Sequence, residues 1–255
     1  MSKYDLSFQP PLMNAAGTLG FAPGRRAALD WTQFGAFITN PISLEPRAPA
    51  QERNCLTFPG GFLLRTGFPN PGLRQVLRRY ALRWARSPLS VIVHLLVQRS
   101  EDLPWQVRLL EAAEGVTGVE LGLPPDVDPE TAQSWVSAAA GELPLIVRVP
   151  MERALALAPV VMDAGAAAVS LGAPRGALSA PNGKFQEGRL YGPAVFPLAL
   201  HTARRLSQMK LPVIGAGGVY HPAQVEAMLA AGAIAVQLDA VLWRGGLPSP
   251  ENPLR

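Results

Sequence analysis

A chain of 255 residues with 48% hydrophobic side chains and a mean hydropathy of +0.14 can bury one sizeable core, and the length suits one α/β domain. The net charge of +4 comes from 20 Arg against 3 Lys, an imbalance of composition that does not point to nucleic acid. A single cysteine, Cys55, excludes an internal disulfide and a cysteine-only metal site, and the longest apolar run, residues 154–162, carries Pro159 and is too short to span a bilayer. No leader segment is legible, so the expectation is a cytoplasmic protein.

Residues 12–15 read as a short strand that runs into Gly17-Thr18-Leu19-Gly20. Residues 25–31 read as a short helix, and 36–39 as a second strand closed by Asn40 and Pro41. Residues 43–64 are rich in Pro and Gly with little periodicity, as in a lid or hairpin over one mouth of the fold. A basic helix starts at Asn70 and runs to about Trp84. It carries Arg74, Arg78, Arg79, Arg83 and Arg86 opposite Val76, Leu77, Tyr80 and Trp84, the pattern of a solvated outer face. The third strand is 90–97, a helix follows over 102–114, and the fourth strand is 118–121. Asp128 is placed to cap a helix ending near Ala140. The fifth strand is 145–148, its helix 153–164, and the sixth strand 168–171. Residues 172–192 form a second long polar loop, with a helix over 194–209 behind it. The final unit, 211–243, reads as strand, glycine turn, helix from His221-Pro222, and an eighth strand at 235–238.

Eight strand signals alternating with about seven helices predict a closed parallel barrel of the (β/α)8, or TIM, type. One domain covers 1–255, with lid-like loop insertions. Its strands are continuous apolar runs, as expected when both faces are covered. Chemistry in such a barrel sits at the C-terminal ends of the strands, where the chain places Asn14, Asn40, His94, Gly122, Arg148, Gly172, the 215–218 turn and Asp239. Gly217 and Gly218, between a strand and a helix start, are expected to aim backbone N–H groups at an anion in the mouth. His94, His201 and His221 lack metal-ligand spacing and read as core or cap residues, so no metal site is expected. Cys55 reads as a small half-buried residue. Glu120 reads as a buried acid paired with a neighbouring arginine.

The ordered series Met13-Asn14-Ala15-Ala16-Gly17-Thr18-Leu19-Gly20, Gly35-Ala36-Phe37-Ile38-Thr39, Leu44-Glu45-Pro46-Arg47, Gly61-Phe62-Leu63 and Asn70-Pro71-Gly72 resembles the dihydroorotate dehydrogenase family. So do Gly118-Val119-Glu120-Leu121, Gly192-Pro193-Ala194 and Ile214-Gly215-Ala216-Gly217-Gly218, in the same order. The family's members are flavin barrels that oxidise dihydroorotate to orotate in pyrimidine biosynthesis. The resemblance implies FMN as cofactor. It puts FMN contacts at Ala15, Ala16, Gly17, Asn40, Arg148, Gly192, Gly217, Gly218 and Asp239, and a substrate contact at Asn70. It also implies a small-molecule ligand, a homo-oligomer or partner subunit, and neither nucleic acid nor membrane.

The chain departs from the family pattern where the chemistry lies. Asn40 stands for the second-strand lysine, Leu64 for the lid asparagine and His94 for the third-strand asparagine. Arg148 replaces the fifth-strand lysine, Gly172-Ala173 an Asn-Thr pair, and Asp239-Ala240 a Gly-Thr that touches phosphate. No base is legible between Val97 and Asp102, which leaves His94 as the candidate catalytic group, an imidazole at a strand end. Three readings follow: an FMN oxidoreductase with an altered pocket, a catalytically silent ligand-binding or partner subunit, or a barrel doing non-redox chemistry through Arg148, His94 and Asp126.

Overall fold

A computed structural model describes residues 6–24, 29–51, 55–180, 183–244 and 247. The chain begins with β1 (Leu12–Asn14) and β2 (Ala36–Ile38), then a hairpin of β3 (Cys55–Phe58) and β4 (Gly61–Leu64), then α1 (Leu73–Ala85). Three strand–helix units follow: β5 (Ser90–Leu96) with α2 (Leu103–Glu111), β6 (Val116–Gly122) with α3 (Pro129–Ala139), and β7 (Leu145–Pro150) with α4 (Ala154–Asp163). Next come β8 (Ala168–Gly172), a second hairpin of β9 (Arg175–Ser179) and β10 (Phe185–Tyr191), and α5 (Phe196–Gln208). β11 (Val213–Ala216), α6 (Pro222–Ala230) and β12 (Ala235–Leu238) complete the series. The barrel closes in the order β1-β12-β11-β8-β7-β6-β5-β2, with every pairing parallel. This is the expected eight-stranded barrel. No helix among the described residues is long and apolar enough to cross a membrane.

Side chains alternate across each strand, and this alternation builds the interior in layers. Met13, Ile38, Ile92, Ile146, Ala168, Ile214 and Ala235 meet in an apolar plug with Phe8 beneath. Two residues further along β5, β8 and β12 stand His94, Ser170 and Gln237, with Glu120 of β6 in register with His94, all buried. Two further again, Gly122, Gly172 and Asp239 reach the mouth. The intervening residues, among them Val93, Leu121, Val147, Val169 and Val236, face outward into the larger cluster beneath the helices.

Helix starts follow local capping chemistry. The Asp128 carboxylate accepts the Thr131 N–H at 2.8 Å. His221 and Gln224 form a reciprocal capping box at the head of α6. The basic helix begins three residues later than expected, because the Asn70 side chain is spent on the preceding loop. Its Oδ1 accepts from the N–H groups of Ser43 and Gly72, and its Nδ2 donates to Ser43 Oγ and the Phe68 carbonyl. Most of the helix expected at 25–31 lies outside the described residues; what is described there is a 3-10 turn, Trp31–Gln33, capped by Asp30.

The two long loops are both hairpins, and they join. β4 pairs with β10, giving a four-stranded antiparallel sheet in the order β3-β4-β10-β9. The excursion at 43–64 was expected as a lid. The loop at 172–192 was expected to be irregular and instead supplies half of the lid sheet. Cys55, on the edge strand β3, is exposed rather than half-buried.

Candidate functional site

At the centre of the barrel four strands contribute one polar network. His94 on β5 and Glu120 on β6 are register partners, and His94 Nδ1 lies 2.5 Å from Glu120 Oε2. The other carboxylate oxygen accepts from Ser170 Oγ and from Gln237 Nε2, each at 2.7 Å. Glu120 therefore pairs with a histidine and not, as the sequence suggested, with an arginine. Burial pushes the Glu120 carboxyl up, but the His94 contact, the Arg148 charge and the Ser170 hydroxyl together pull it down to about 2. Burial, reinforced by the charges of Arg148 and Arg189, holds His94 below the usual imidazole range despite Glu120. At neutral pH this gives an ionised carboxylate bonded to a neutral imidazole, with Nδ1 carrying the proton. Nε2 then keeps its lone pair. It packs against Gly122, where a Cβ would come within 2.6 Å of it, so only glycine leaves the ring its place.

Above this network lies a cavity of about 340 Å³ between the barrel mouth and the lid sheet, a size suited to a small ligand. His94 and Arg148 rise into it from the barrel, and Arg189 comes down from β10. Arg189 stacks over Phe68 with Cζ 4.2 Å from the ring centroid. Burial brings its guanidinium down to about 10, which leaves it charged at neutral pH. Arg47, Arg65 and Arg175 stand at the rim, so five guanidiniums face two carboxyl groups, those of Glu152 and Asp239. Tyr191 stacks on Phe62 at 5.7 Å and meets Trp243 at 5.6 Å, and Trp243 Nε1 donates to the Thr18 carbonyl. These rings tie the lid to the end of the barrel that follows β12.

A family model for dihydroorotate dehydrogenase matches residues 2–146, more than half of the chain. The dihydroorotate dehydrogenase B (NAD(+)) catalytic subunit of Geotalea uraniireducens is 30% identical over 93% of this chain and 87% of its own length. Dihydroorotate dehydrogenase A (fumarate) of Lacticaseibacillus paracasei is 30% identical over 90% of this chain and 87% of its own. The chain belongs to the dihydroorotate dehydrogenase family. The catalytic subunit of Maridesulfovibrio salexigens, at 26% identity, extends the match to 98% of the chain.

The dihydroorotate dehydrogenase fold brings only some of the expected site residues together. Ala15, Ala16, Gly17, His94, Arg148 and Asp239 line the cavity. Asn40, Asn70, Gly192, Gly217 and Gly218 are not among its lining residues. The Asn40 side chain accepts the Gly20 N–H at 3.0 Å and holds the loop after β1. Asn70, expected at the substrate, has the scaffold bonds described above. Gly192 heads the turn into α5, and Gly218 packs against that turn; a Cβ on Gly218 would lie 2.4 Å from Phe196 N. Asp126, one arm of the non-redox reading, is exposed and outside the cavity. The rim arginines, Arg189 and Glu120 were missed as site residues; that Glu120 is the one charged residue of β6 is the signal that could have found it.

The residues at the far end of the cavity do not fit the phosphate of FMN. Asp239 follows β12 and is 4% exposed. Its carboxyl accepts the Ala240 N–H at 2.6 Å, and the Gly218 N–H at the adjacent strand end favours its ionised form. Burial holds this carboxyl above the usual carboxylate range, against the two N–H groups and Arg148. A second anion there would have to displace a buried carboxyl.

Proposed function

We propose that this chain is a divergent dihydroorotate dehydrogenase-family barrel that binds a small, flat organic anion beneath its lid and lacks the family's ordinary flavin-coupled turnover. One observation carries the reading: Arg148 and Arg189 line the same cavity from barrel and lid, together with His94. A planar guanidinium recognises a carboxylate through paired hydrogen bonds, and a partly desolvated one gains more from doing so. The Arg189–Phe68 stack and the Tyr191 and Trp243 rings supply flat apolar walls for a ring-shaped ligand. The relatives named as catalytic subunits support a partner subunit as the protein contact.

Orotate and uracil make a minimal pair, since they differ by one carboxylate. Orotate at about 100-fold over its Kd adds ~2.7 kcal/mol, or roughly 5–10 °C in melting temperature for a chain of this size. Uracil is expected to leave the melting temperature in place, and Arg189→Met to remove most of the orotate shift. Equal shifts from the two compounds, or an orotate shift that survives both Arg189→Met and Arg148→Met, would overturn the reading.

A second reading is favoured by the His94–Glu120 pair. A neutral imidazole whose Nδ1 is fixed by a carboxylate has the arrangement of a general base at Nε2. In that reading His94 takes a proton from the carbon beside a ring carbonyl. Its test needs no hydride acceptor: solvent deuterium should enter that position of dihydroorotate with wild type and not with His94→Ala.

A further inference from the structure

We propose that Asp239 is a built-in occupant of the barrel's phosphate cradle, so that this end of the cavity selects ligands carrying no phosphate there. The cradle itself is intact. β11 runs into Gly217 and Gly218 and β12 runs into Asp239 and Ala240; the Ala240 N–H bonds the Asp239 carboxyl at 2.6 Å, and the Gly218 N–H of the neighbouring strand end favours the ionised form of the same carboxyl. Such a pair at the C-terminal end of a barrel is how the fold takes up an anion. The backbone that makes it is one only glycine tolerates, since Gly218 has φ of +69° and a Cβ there would strike Phe196 N. Between these strand ends lies a buried side-chain carboxyl, which takes the Ala240 N–H as a phosphate oxygen would.

Protonated or ionised, the carboxyl holds the Ala240 N–H and occupies the volume. The Asp239 backbone stands at the head of the 3-10 helix Ala240–Arg244, and its carbonyl accepts the Leu242 N–H at 3.1 Å. The Arg148 charge acts on Asp239 as it would on a phosphate, lowering the carboxyl, and burial outweighs it. A ligand anion at the rim arginines leaves this end untouched, so the inference stands independently of what Arg189 holds.

The test is a titration of 15N-labelled full-length protein with inorganic phosphate, against chloride at matched ionic strength. In wild type the Gly218 and Ala240 amide resonances are expected to stay with the chloride control, whatever the arginine side chains do. In Asp239→Ala they are expected to shift saturably, and affinity for FMN relative to riboflavin is expected to rise by about tenfold or more, the worth of a charge-assisted hydrogen bond. Asp239→Gly serves if the alanine variant does not fold. A saturable movement of the Gly218 and Ala240 amides in wild type overturns the proposal, with or without a folded variant. So does a folded variant in which they remain still. A loss of orotate binding at the arginines would change neither result.

Discussion

Glu120 and His94 share a proton in the middle of the barrel, and the pair has a consequence for acid stability that can be signed. Glu120 titrates at about 2 in the folded state against 4.5 for a free glutamate. Its contribution is present above about 4.5 and is lost as pH falls toward 2, on the order of 3 kcal/mol in full. His94 is also lowered from 6.5, so the unfolded chain binds its proton first and stability starts to fall below that value. Asp239 has the opposite sign: its raised carboxyl costs stability as pH rises above 3.8 through its folded value. The expected outcome is a melting temperature that declines from pH 7 to pH 5 in wild type and declines less in His94→Gln, measured by calorimetry in both. A wild-type profile parallel to that of His94→Gln over that range would contradict the neutral-imidazole assignment, since Asp239 contributes equally to both. The sequence made His94, Arg148 and Asp239 legible as strand-end groups. It hid the partner of Glu120, because His94 lies 26 residues away and meets it only through strand register. Ser170 and Gln237 were hidden too, since each is a lone polar residue in an apolar strand.

The lid is an element whose halves lie far apart in the chain. Its first hairpin was foreseen from the Pro- and Gly-rich passage; its second was not. β10 buries Gln186 and Gly188 and leaves Phe185 and Glu187 exposed, so the period-2 signal runs opposite to the usual one. Gly188 is where the two halves fit. A Cβ there would come within 2.6 Å of Leu63 Cδ2 and 2.8 Å of the Leu64 carbonyl oxygen. Gly188→Val is therefore expected to cost about 1–3 kcal/mol of overpacking, confined to the lid. Limited proteolysis should then cut within the two hairpins faster than in wild type, while barrel helices such as α3 keep their amide protection. Unchanged cleavage would show that the β4–β10 junction is not what holds the lid.

Across the whole molecule, eight short apolar runs alternating with helices and glycine stops were enough to foresee the closed barrel, because each strand had to be covered on both faces. Strand ends agreed to within two residues; what the alternation did not carry was which mouth residues converge. Five arginines from four separate stretches gather there only after closure and lid pairing. The chain keeps the dihydroorotate dehydrogenase frame, and the function proposed above has its cavity hold an anion without passing hydride to a flavin. The most direct measurement is anaerobic mixing of the protein with FMN and dihydroorotate, following the visible absorption of oxidised flavin against a blank without protein. The account predicts no bleaching beyond the blank. Bleaching that proceeds with wild type and collapses in His94→Ala would contradict it, and would show an active site moved to His94 in a working oxidoreductase.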